Sequence, residues 1–259
     1  MSLRLHFLGT GTSTGVPQLG CHCTVCTSPD PRDRRLRTSA LLETPEGSLL
    51  FDCGPDFRQQ MLSLPEAVRE QPIRAVLLTH EHYDHVGGLD DLRPYCAQGA
   101  IDIYADALCA RHQRERMPYC FVEHKYPGVP DIRLHDVAPG EAVEVCGMLW
   151  RPFVVYHARL PIFAWQWENR LAYITDLSRL PQQTLPQLIG VETLIINALR
   201  QEPHPSHQTL DEALGLIRQI HPRQSFLVHA SHHIGLHADL APSLPPGVTL
   251  AYDGLCVEV

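Results

Sequence analysis

A histidine-rich stretch, T-H-E-H-Y-D-H at 79–85, constrains this chain more than any other feature of its sequence. Its side chains at His80, His82, Asp84 and His85 bring imidazoles and a carboxylate together, and imidazoles packed this densely present lone pairs that need partners. A divalent metal ion supplies such a partner. An exposed histidine-rich loop explains the stretch less well, because an apolar run at 75–78 precedes it and a Gly-Gly pair follows it.

The spacing within this stretch favours two adjacent ions over one. His80 and His82 are two residues apart, so an extended segment points both side chains to the same face. Asp84 and His85 follow where the chain begins to turn towards a helix. The two pairs can therefore approach a common centre from different directions.

Length and composition are those of an ordinary globular protein. With 259 residues, 44% hydrophobic and 19% charged, the chain can bury one large core, and we expect a single domain over 1–259. The sequence has no apolar run long enough to cross a bilayer, and its first residues alternate like a strand and lack the layout of a secretion signal, so we expect a cytoplasmic protein without a membrane partner. A formal net charge of −8 disfavours nucleic acid as a partner, but it does not exclude a small phosphate ester.

A long loop at 9–37 is rich in Gly, Pro, Cys and Arg. Loops of this length inside a compact domain are usually functional or held by a metal. Three of the chain's nine cysteines, an odd number, are crowded at 21, 23 and 26, where disulfides would be strained, so reduced thiols and metal binding fit better. The basic run at 32–37 offers a phosphate clamp, although a solvated loop face is the favoured interpretation.

The alternation of apolar residues predicts a strand-rich α/β protein. Strands are expected at 3–8, 39–43, 49–52, 75–78, 101–104, near 132–134, and at 142–145, 149–156, 163–167, 171–175, 193–197 and 225–228, with a closing hairpin of 248–252 and 255–259. Helices are expected at 57–64, 90–95, 106–116, 185–189 and 206–220, the last capped by Ser206 or Thr209. The remainder of 119–139 is expected to be loop. This order predicts two mixed sheets packed face to face with helices outside.

Three buried strands of the second half run directly into possible ligands. The strand at 149–156 leads to His157, the strand at 171–175 leads to Asp176, and the strand at 225–228 leads to His229. Loops at the ends of buried strands are where rigid scaffolds hold functional side chains. One such coincidence means little, but three of them together with the stretch at 79–85 indicate one metal centre.

The H-x-H-x-D-H pattern at 80–85, followed in order by His157, Asp176 and His229, resembles the metallo-β-lactamase superfamily over nearly the whole chain. The resemblance implies an αββα sandwich, and it implies that Asp52, in F-D-C-G at 51–54, orients the histidine loop from behind the ligands. It assigns His80, His82 and His157 to one ion, Asp84, His85 and His229 to a second, and Asp176 to a bridge between them.

Two ions about 3.5 to 4 Å apart would lower the pKa of a shared water and bind the oxygens of the group under attack. Hydrolysis is the expected reaction. Seven ligands with two carboxylates suit zinc, manganese or iron, and ligand type alone does not choose among them.

Within the superfamily, L-G-T-G-T-S-T-G-V-P at 8–17 and the cysteine motif after it resemble the phosphodiesterase branch that includes PhnP, the cyclic-phosphate phosphodiesterase. The resemblance implies a structural zinc bound by Cys21, Cys23, Cys26 and His232, which would pin the loop 9–37 near the active site. His22 or His233 could replace His232.

His207 matches the histidine that this branch places beside its metal centre, where an imidazole could stabilise or protonate a leaving alkoxide. The expected function is therefore hydrolysis of a small or cyclic phosphate ester, and a homodimer is compatible with the sequence. A ribonuclease Z-like tRNA 3′-end endonuclease is the first alternative. The excess of acidic over basic residues, and the lack of a basic, Gly-rich insert that could grip tRNA, disfavour it. A non-catalytic metal-binding module is the second, and a full ligand set at both positions argues against it.

Overall fold

The computed structural model describes residues 3–259 and contains two seven-stranded mixed β-sheets with helices outside. Met1 and Ser2, the first residues of the segment that we expect to lack a secretion signal, lie outside the described residues. The strands are β1 (Arg4–Gly9), β2 (Ser39–Thr44), β3 (Gly47–Phe51), β4 (Ile73–Leu77), β5 (Ile101–Ala105), β6 (Ile132–Asp136), β7 (Val143–Val145), β8 (Met148–His157), β9 (Leu160–Trp167), β10 (Leu171–Ile174), β11 (Thr193–Asn197), β12 (Gln224–Val228), β13 (Val248–Leu250) and β14 (Cys256–Glu258). The helices are α1 (Phe57–Ser63), α2 (Glu66–Arg69), α3 (Tyr83–Val86), α4 (Ala107–Arg116), α5 (Leu185–Leu188), α6 (Leu210–Ile220) and α7 (His237–Leu240). This is the predicted αββα arrangement.

Each sheet carries a parallel half beside an antiparallel half. The first sheet has the order β14-β1-β2-β3-β4-β5-β6 and is parallel from β3 to β6. The second has the order β13-β12-β11-β10-β9-β8-β7 and is parallel from β10 to β13. Because parallel strands end at the same edge, each sheet offers several strand ends to one site.

Aromatic side chains fill the space between the sheets. Phe51 of β3 stacks on Tyr173 of β10 with ring centroids 4.6 Å apart, and Phe7 of β1 meets Phe226 of β12 at 5.2 Å. Trp165 donates its indole N–H to the carbonyl of Leu78, just before the histidine stretch. The inner faces are thus held in a fixed register where the chain leaves β4.

Three predicted elements are wrong in detail. The expected C-terminal hairpin does not form: β13 pairs in parallel with β12 in the second sheet, whereas β14 pairs with β1 in the first. The helix expected at 206–220 begins only at Leu210, where Thr209 and Glu212 form a capping box, so Ser206 is not the cap. In place of a helix at 90–95 the chain forms two short 3₁₀ helices, Leu89–Leu92 and Tyr95–Gln98.

Within residues 3–259, no helix is both long enough and apolar enough to span a bilayer.

Candidate metal centre

The site lies where strands of both sheets end. The chain leaves β4 into His80 and His82, β8 ends at His157, and β10 and β12 are followed within two residues by Asp176 and His229. Asp84 and His85 lie in the short helix α3. The seven residues that the sequence predicts as ligands are therefore brought together from four strand ends and one helical turn.

Three residues of the site have left-handed backbones. Asp52 (φ 55°), Asp176 (φ 56°) and His229 (φ 58°) each come directly after a strand or one residue later. Asp, Asn and His adopt this conformation more readily than most residues other than glycine. Each strand end thus turns sharply while it presents a polar side chain.

The possible ligand atoms lie close enough to share metal ions. Within each of several groups, all donor atoms are within 4.8 Å of one another. The groups are His80, His82 and His157; His80, His85 and Asp176; Asp84, His85 and His229; and His157, Asp176 and His207. The first and third sets are the two predicted for separate ions, and Asp176 joins groups on both sides, as a bridging carboxylate must.

Asp52 lies behind the histidine stretch and not among these groups. Its carboxylate accepts a hydrogen bond from the backbone N–H of Thr79 at 2.8 Å and contacts the Thr79 hydroxyl. Its Oδ2 also lies 2.7 Å from Nδ1 of His85. This contact fixes the proton on Nδ1, so that Nε2 of His85 faces Asp84 and Asp176 at 3.2 and 3.1 Å.

The loop before α6 closes the other side of the site. Nδ1 of His157 donates to the carbonyl of Ser206 at 2.8 Å, which orients Nε2 of His157 towards the donor groups. His207 packs between His157 and His229, with ring centroids 4.5 and 4.9 Å away. Its Nδ1 lies 3.6 Å from Oδ1 of Asp176.

Burial and neighbouring charges shift the pKa values of the site residues in opposite directions. Burial lowers the pKa of His229 and lowers that of His80 well below its usual value. Burial would raise the pKa of Asp176, but His229 and His85 hold it well below its usual range. Burial would likewise lower the pKa of His85, yet Asp84 and Asp176 hold it well above. The anionic Asp176 and the neutral imidazoles of His80 and His229 offer donors to cations, and a bound cation would take the place of the proton that His85 carries.

Buried nitrogen atoms without hydrogen-bond partners indicate that these residues fit divalent metal ions. Nε2 of His80 and Nε2 of His85 are buried and have no hydrogen-bond partner among residues 3–259. Such orphaned nitrogen atoms are costly unless something binds them. Nitrogen and carboxylate donors without thiolates suit zinc, manganese or iron.

A second group lies in the loop 9–37. Sγ of Cys21, Cys23 and Cys26 and a ring nitrogen of His232 all lie within 4.8 Å of one another. Nδ1 of His232 is 3.5 Å from Cys21 Sγ and 3.2 Å from Cys23 Sγ. His22 and His233 are not part of this group among the described residues. Three thiols and one imidazole are a donor set for tetrahedral zinc.

The arginines at 32–37 are mostly occupied by structural contacts. Arg35 is buried and donates to the Thr10 hydroxyl and to the carbonyl of Ala251. Arg37 pairs with Asp56 at 2.9 Å. Arg32 pairs with Asp30 at 2.7 Å. These contacts favour a structural role over a phosphate clamp.

Two contacts of the site were not predicted from the sequence. The hydroxyl of Thr12 lies 3.2 Å from Nε2 of His229, so the loop 9–37 reaches the metal centre itself. The turn at 53–54 packs so closely on the histidine loop that a Cβ at Gly54 would lie 2.1 Å from the carbonyl oxygen of Asp84. The sequence signals for these contacts are T-G-T at 10–12 and D-C-G at 52–54. Their small residues permit a close approach of the backbone to the site.

Comparison with known proteins places this geometry in a family. Residues 48–230 match the β-lactamase superfamily domain. The chain is 43% identical over 255 residues to an octanoyltransferase of Porphyromonas gingivalis, covering 98% of this chain and 51% of that protein. It is 40% identical over 134 residues to coenzyme PQQ synthesis protein B of Methylobacterium radiotolerans, covering 42% of this chain and 45% of that protein. The chain thus spans about half the length of these curated relatives.

A crystal structure described as a new diphosphatase from the PhnP family is similar along the entire chain. It superimposes with a TM-score of 0.90 at 35% sequence identity, covering 100% of this chain and 98% of that one. The fold, the matched domain and the clustered histidines and aspartates agree with one another. The chain belongs to the β-lactamase superfamily and has the metallo-β-lactamase fold of metal-dependent hydrolases.

Proposed function

We propose that this protein is a two-metal phosphodiesterase that hydrolyses a small or cyclic phosphate ester. His80, His82 and His157 would bind one ion, Asp84, His85 and His229 would bind the second, and Asp176 would bridge them. Manganese, zinc or iron bound there supplies positive charge for the phosphate oxygens and a water made nucleophilic at neutral pH.

The observation that carries this proposal is the position of His207. This imidazole packs against two proposed ligands, and its unpartnered Nδ1 is 3.6 Å from the proposed bridging carboxylate. A phosphate ester releases an alkoxide that needs a hydrogen-bond donor or a proton. The position of His207 supports a role in serving that leaving oxygen, which a site for storing metal would not need.

Similarity to the PhnP-family diphosphatase supports phosphorus chemistry, because hydrolysis of a diphosphate and of a phosphodiester both break a bond to phosphorus. The octanoyltransferase similarity does not assign acyl chemistry to this chain, since the chain covers only 51% of that protein. We also propose that Cys21, Cys23, Cys26 and His232 hold one structural zinc ion, which leaves no open coordination position and serves stability.

A substrate screen tests the proposal. The metal-reconstituted protein is assayed on bis(p-nitrophenyl) phosphate, p-nitrophenyl phosphate, a nucleoside 2′,3′-cyclic phosphate, a precursor tRNA and an octanoyl thioester. We expect turnover of the two diesters that is lost with chelator and absent in Asp176→Ala. Turnover of the thioester or of the tRNA alone would overturn it.

A further inference from the structure

Helix α4 contacts the histidine stretch from outside the metal centre, at the residue between two proposed ligands. Glu81 lies between His80 and His82 in the sequence. The carbonyl oxygen of Glu81 accepts a hydrogen bond from Nη1 of Arg116 at 2.6 Å. Its carboxylate lies 3.8 Å from Nδ1 of His112. Both the backbone and the side chain of Glu81 therefore face α4.

The face of α4 that meets Glu81 is fixed in place. Cys109, His112 and Arg116 follow one another at spacings of three and four residues, so they lie along one side of the helix. Cys109 is buried, and so is Met117, the residue after the helix ends. Although the side chain of Arg116 is exposed, its backbone is thus anchored on both sides.

The hydrogen bond from Arg116 acts on the peptide group that joins Glu81 to His82. This group is planar, so a bond to its oxygen restrains the direction in which the His82 backbone begins. The donor is a charged guanidinium, and such a hydrogen bond is about twice as strong as one between neutral groups. Arg116 can therefore influence where the His82 imidazole points without touching it.

The other proposed histidine ligands have restraints of their own. Three of them have a hydrogen-bond partner at Nδ1: His80 has Thr79 at 3.0 Å, His85 has Asp52 at 2.7 Å, and His157 has Ser206 at 2.8 Å. His229 is only 1% exposed.

His82 differs from these four residues. It is exposed, and within the described range 3–259 its imidazole makes no hydrogen bond. The orientation of this side chain therefore depends on its backbone.

We propose that Arg116 is a positioning residue for the metal centre. By restraining the peptide between Glu81 and His82, it holds the His82 imidazole towards the ion that His80, His82 and His157 would share. The inference rests on the ligand assignment made under the proposed function, but it does not depend on the substrate. It implies that one of the two ions depends on Arg116 and the other does not.

Manganese binding tests this asymmetry. Protein stripped of active-site metal by mild chelation is titrated with Mn²⁺, and the free ion is followed by its electron paramagnetic resonance signal. Mn²⁺ prefers oxygen and nitrogen ligands to thiolates, so the cysteine group does not compete for it. We expect wild type to bind a pair of Mn²⁺ ions.

Arg116→Ala should bind one of these ions about tenfold more weakly, at the lower end of the effect expected for a residue that orients a ligand. The other ion should keep its wild-type affinity. Arg116→Lys, which can still donate to a carbonyl, should recover most of the loss.

Arg114→Ala is the matched control. Arg114 lies on the same helix two residues earlier, and its guanidinium pairs with Asp136 of β6 at 2.6 Å. Its removal should leave both affinities unchanged. Thermal unfolding of the stripped proteins should give similar melting temperatures for Arg114→Ala and Arg116→Ala, because each loses one exposed side chain.

A double-mutant cycle separates positioning of His82 from a general effect on the fold. His82→Ala should weaken the same ion as Arg116→Ala does. Adding Arg116→Ala to His82→Ala should then cost little more, because Arg116 acts through His82. Losses that simply add in the double variant would overturn the positioning role.

The remaining outcomes distinguish this inference from the proposed function. Wild-type affinity for both ions in Arg116→Ala, or equal weakening of both, overturns the inference and leaves the two-metal centre standing. Failure of wild type to bind a pair of ions overturns both. Selective weakening of one ion supports the inference even if no phosphodiester is turned over, a result that would contradict only the proposed function.

Discussion

Asp52 and His85 are joined by a 2.7 Å contact between a carboxylate oxygen and Nδ1, and both side chains are fully buried. The carboxylate thereby aims the other nitrogen of His85 at the metal centre. We expect Asp52→Asn to weaken metal binding by about 10- to 100-fold, because residues that orient a ligand contribute that much to affinity. Asparagine tolerates the φ of 55° at this position, so the fold should survive. Competition with a chromophoric chelator measures the affinity.

Asp102→Asn is the control for that change. Asp102 makes a 2.7 Å contact with His135, outside the metal centre. It should leave metal affinity unchanged. Equal affinities of Asp52→Asn and wild type would contradict the orienting role.

Asp176→Ala should lower kcat at least about a hundredfold. Loss of the proposed bridging carboxylate would leave the positive charges of two ions uncompensated. Metal analysis of the same sample shows whether one ion or both are lost. Near-normal rates with full metal content would count decisively against a two-metal centre.

His207→Ala should slow the hydrolysis of substrates with poor leaving groups more than that of substrates with good leaving groups. Burial lowers the pKa of His207 to about 3, so its imidazole is neutral at pH 7. In the proposed role it would therefore act as a hydrogen-bond donor to the leaving oxygen. Loss of one such donor typically costs about 10²- to 10³-fold. We expect that loss on an alkyl phosphodiester and a much smaller loss on a nitrophenyl diester.

The control for His207 is His124→Ala, an exposed histidine in the segment 119–139. It should behave as wild type. An equal loss on both substrates would point instead to ground-state binding of the phosphate by His207, and no loss on either would make His207 a structural residue.

The cysteine group should retain its metal under conditions that empty the active site. Mild chelation of wild type is expected to leave about one zinc per chain with activity lost, because a closed Cys₃His site offers no open position for a chelator. His232→Ala should lose this zinc and unfold at lower temperature, whereas His233→Ala should not. Complete loss of metal from wild type with an intact fold would refute the structural zinc.

Asp253 should make stability depend on pH. Its carboxylate accepts from the N–H of Leu36 and from Thr10, and burial raises its pKa to about 6. Because the folded pKa lies above the usual 3.8, the contribution of Asp253 is fully present below about pH 4 and declines as pH rises through 6. The loss in free energy of unfolding is on the order of 3 kcal/mol.

Urea unfolding of wild type and of Asp253→Asn at several pH values between 4 and 7 measures this effect. The variant cannot ionise at this position, so its stability should fall less than that of wild type across the interval. Parallel curves for the two proteins would contradict the assignment to Asp253.

The clustering of the proposed ligands could be predicted because each of these residues follows a strong local signal. The dense histidine stretch at 80–85 and the apolar runs before His157, Asp176 and His229 can be read directly from the sequence. In the structure, the potential ligand atoms of these residues lie close together. The two sheets follow from the same alternation of apolar residues.

Predictions were wrong where the structure depends on contacts between segments that are far apart in the sequence. Asp253-Gly254 has the letters of a hairpin turn, but the sheet edges beside β12 and β1 are both free to accept a strand, and β13 and β14 take one edge each. Helix α6 starts at Leu210, directly after its cap Thr209, because the capping box with Glu212 outweighs the earlier Ser206. The carbonyl of Ser206 accepts a hydrogen bond from His157 instead.

The left-handed backbones at Asp52, Asp176 and His229 restrict how this centre could be re-engineered. Exchanging a ligand for another of suitable chemistry, such as glutamate at Asp176 or cysteine at His229, would change the side chain and also strain the peptide by on the order of 1 kcal/mol or more. Asparagine, aspartate, histidine and glycine escape most of that strain. Attempts to retune the metal preference should therefore begin at His82, which is exposed and has an ordinary backbone.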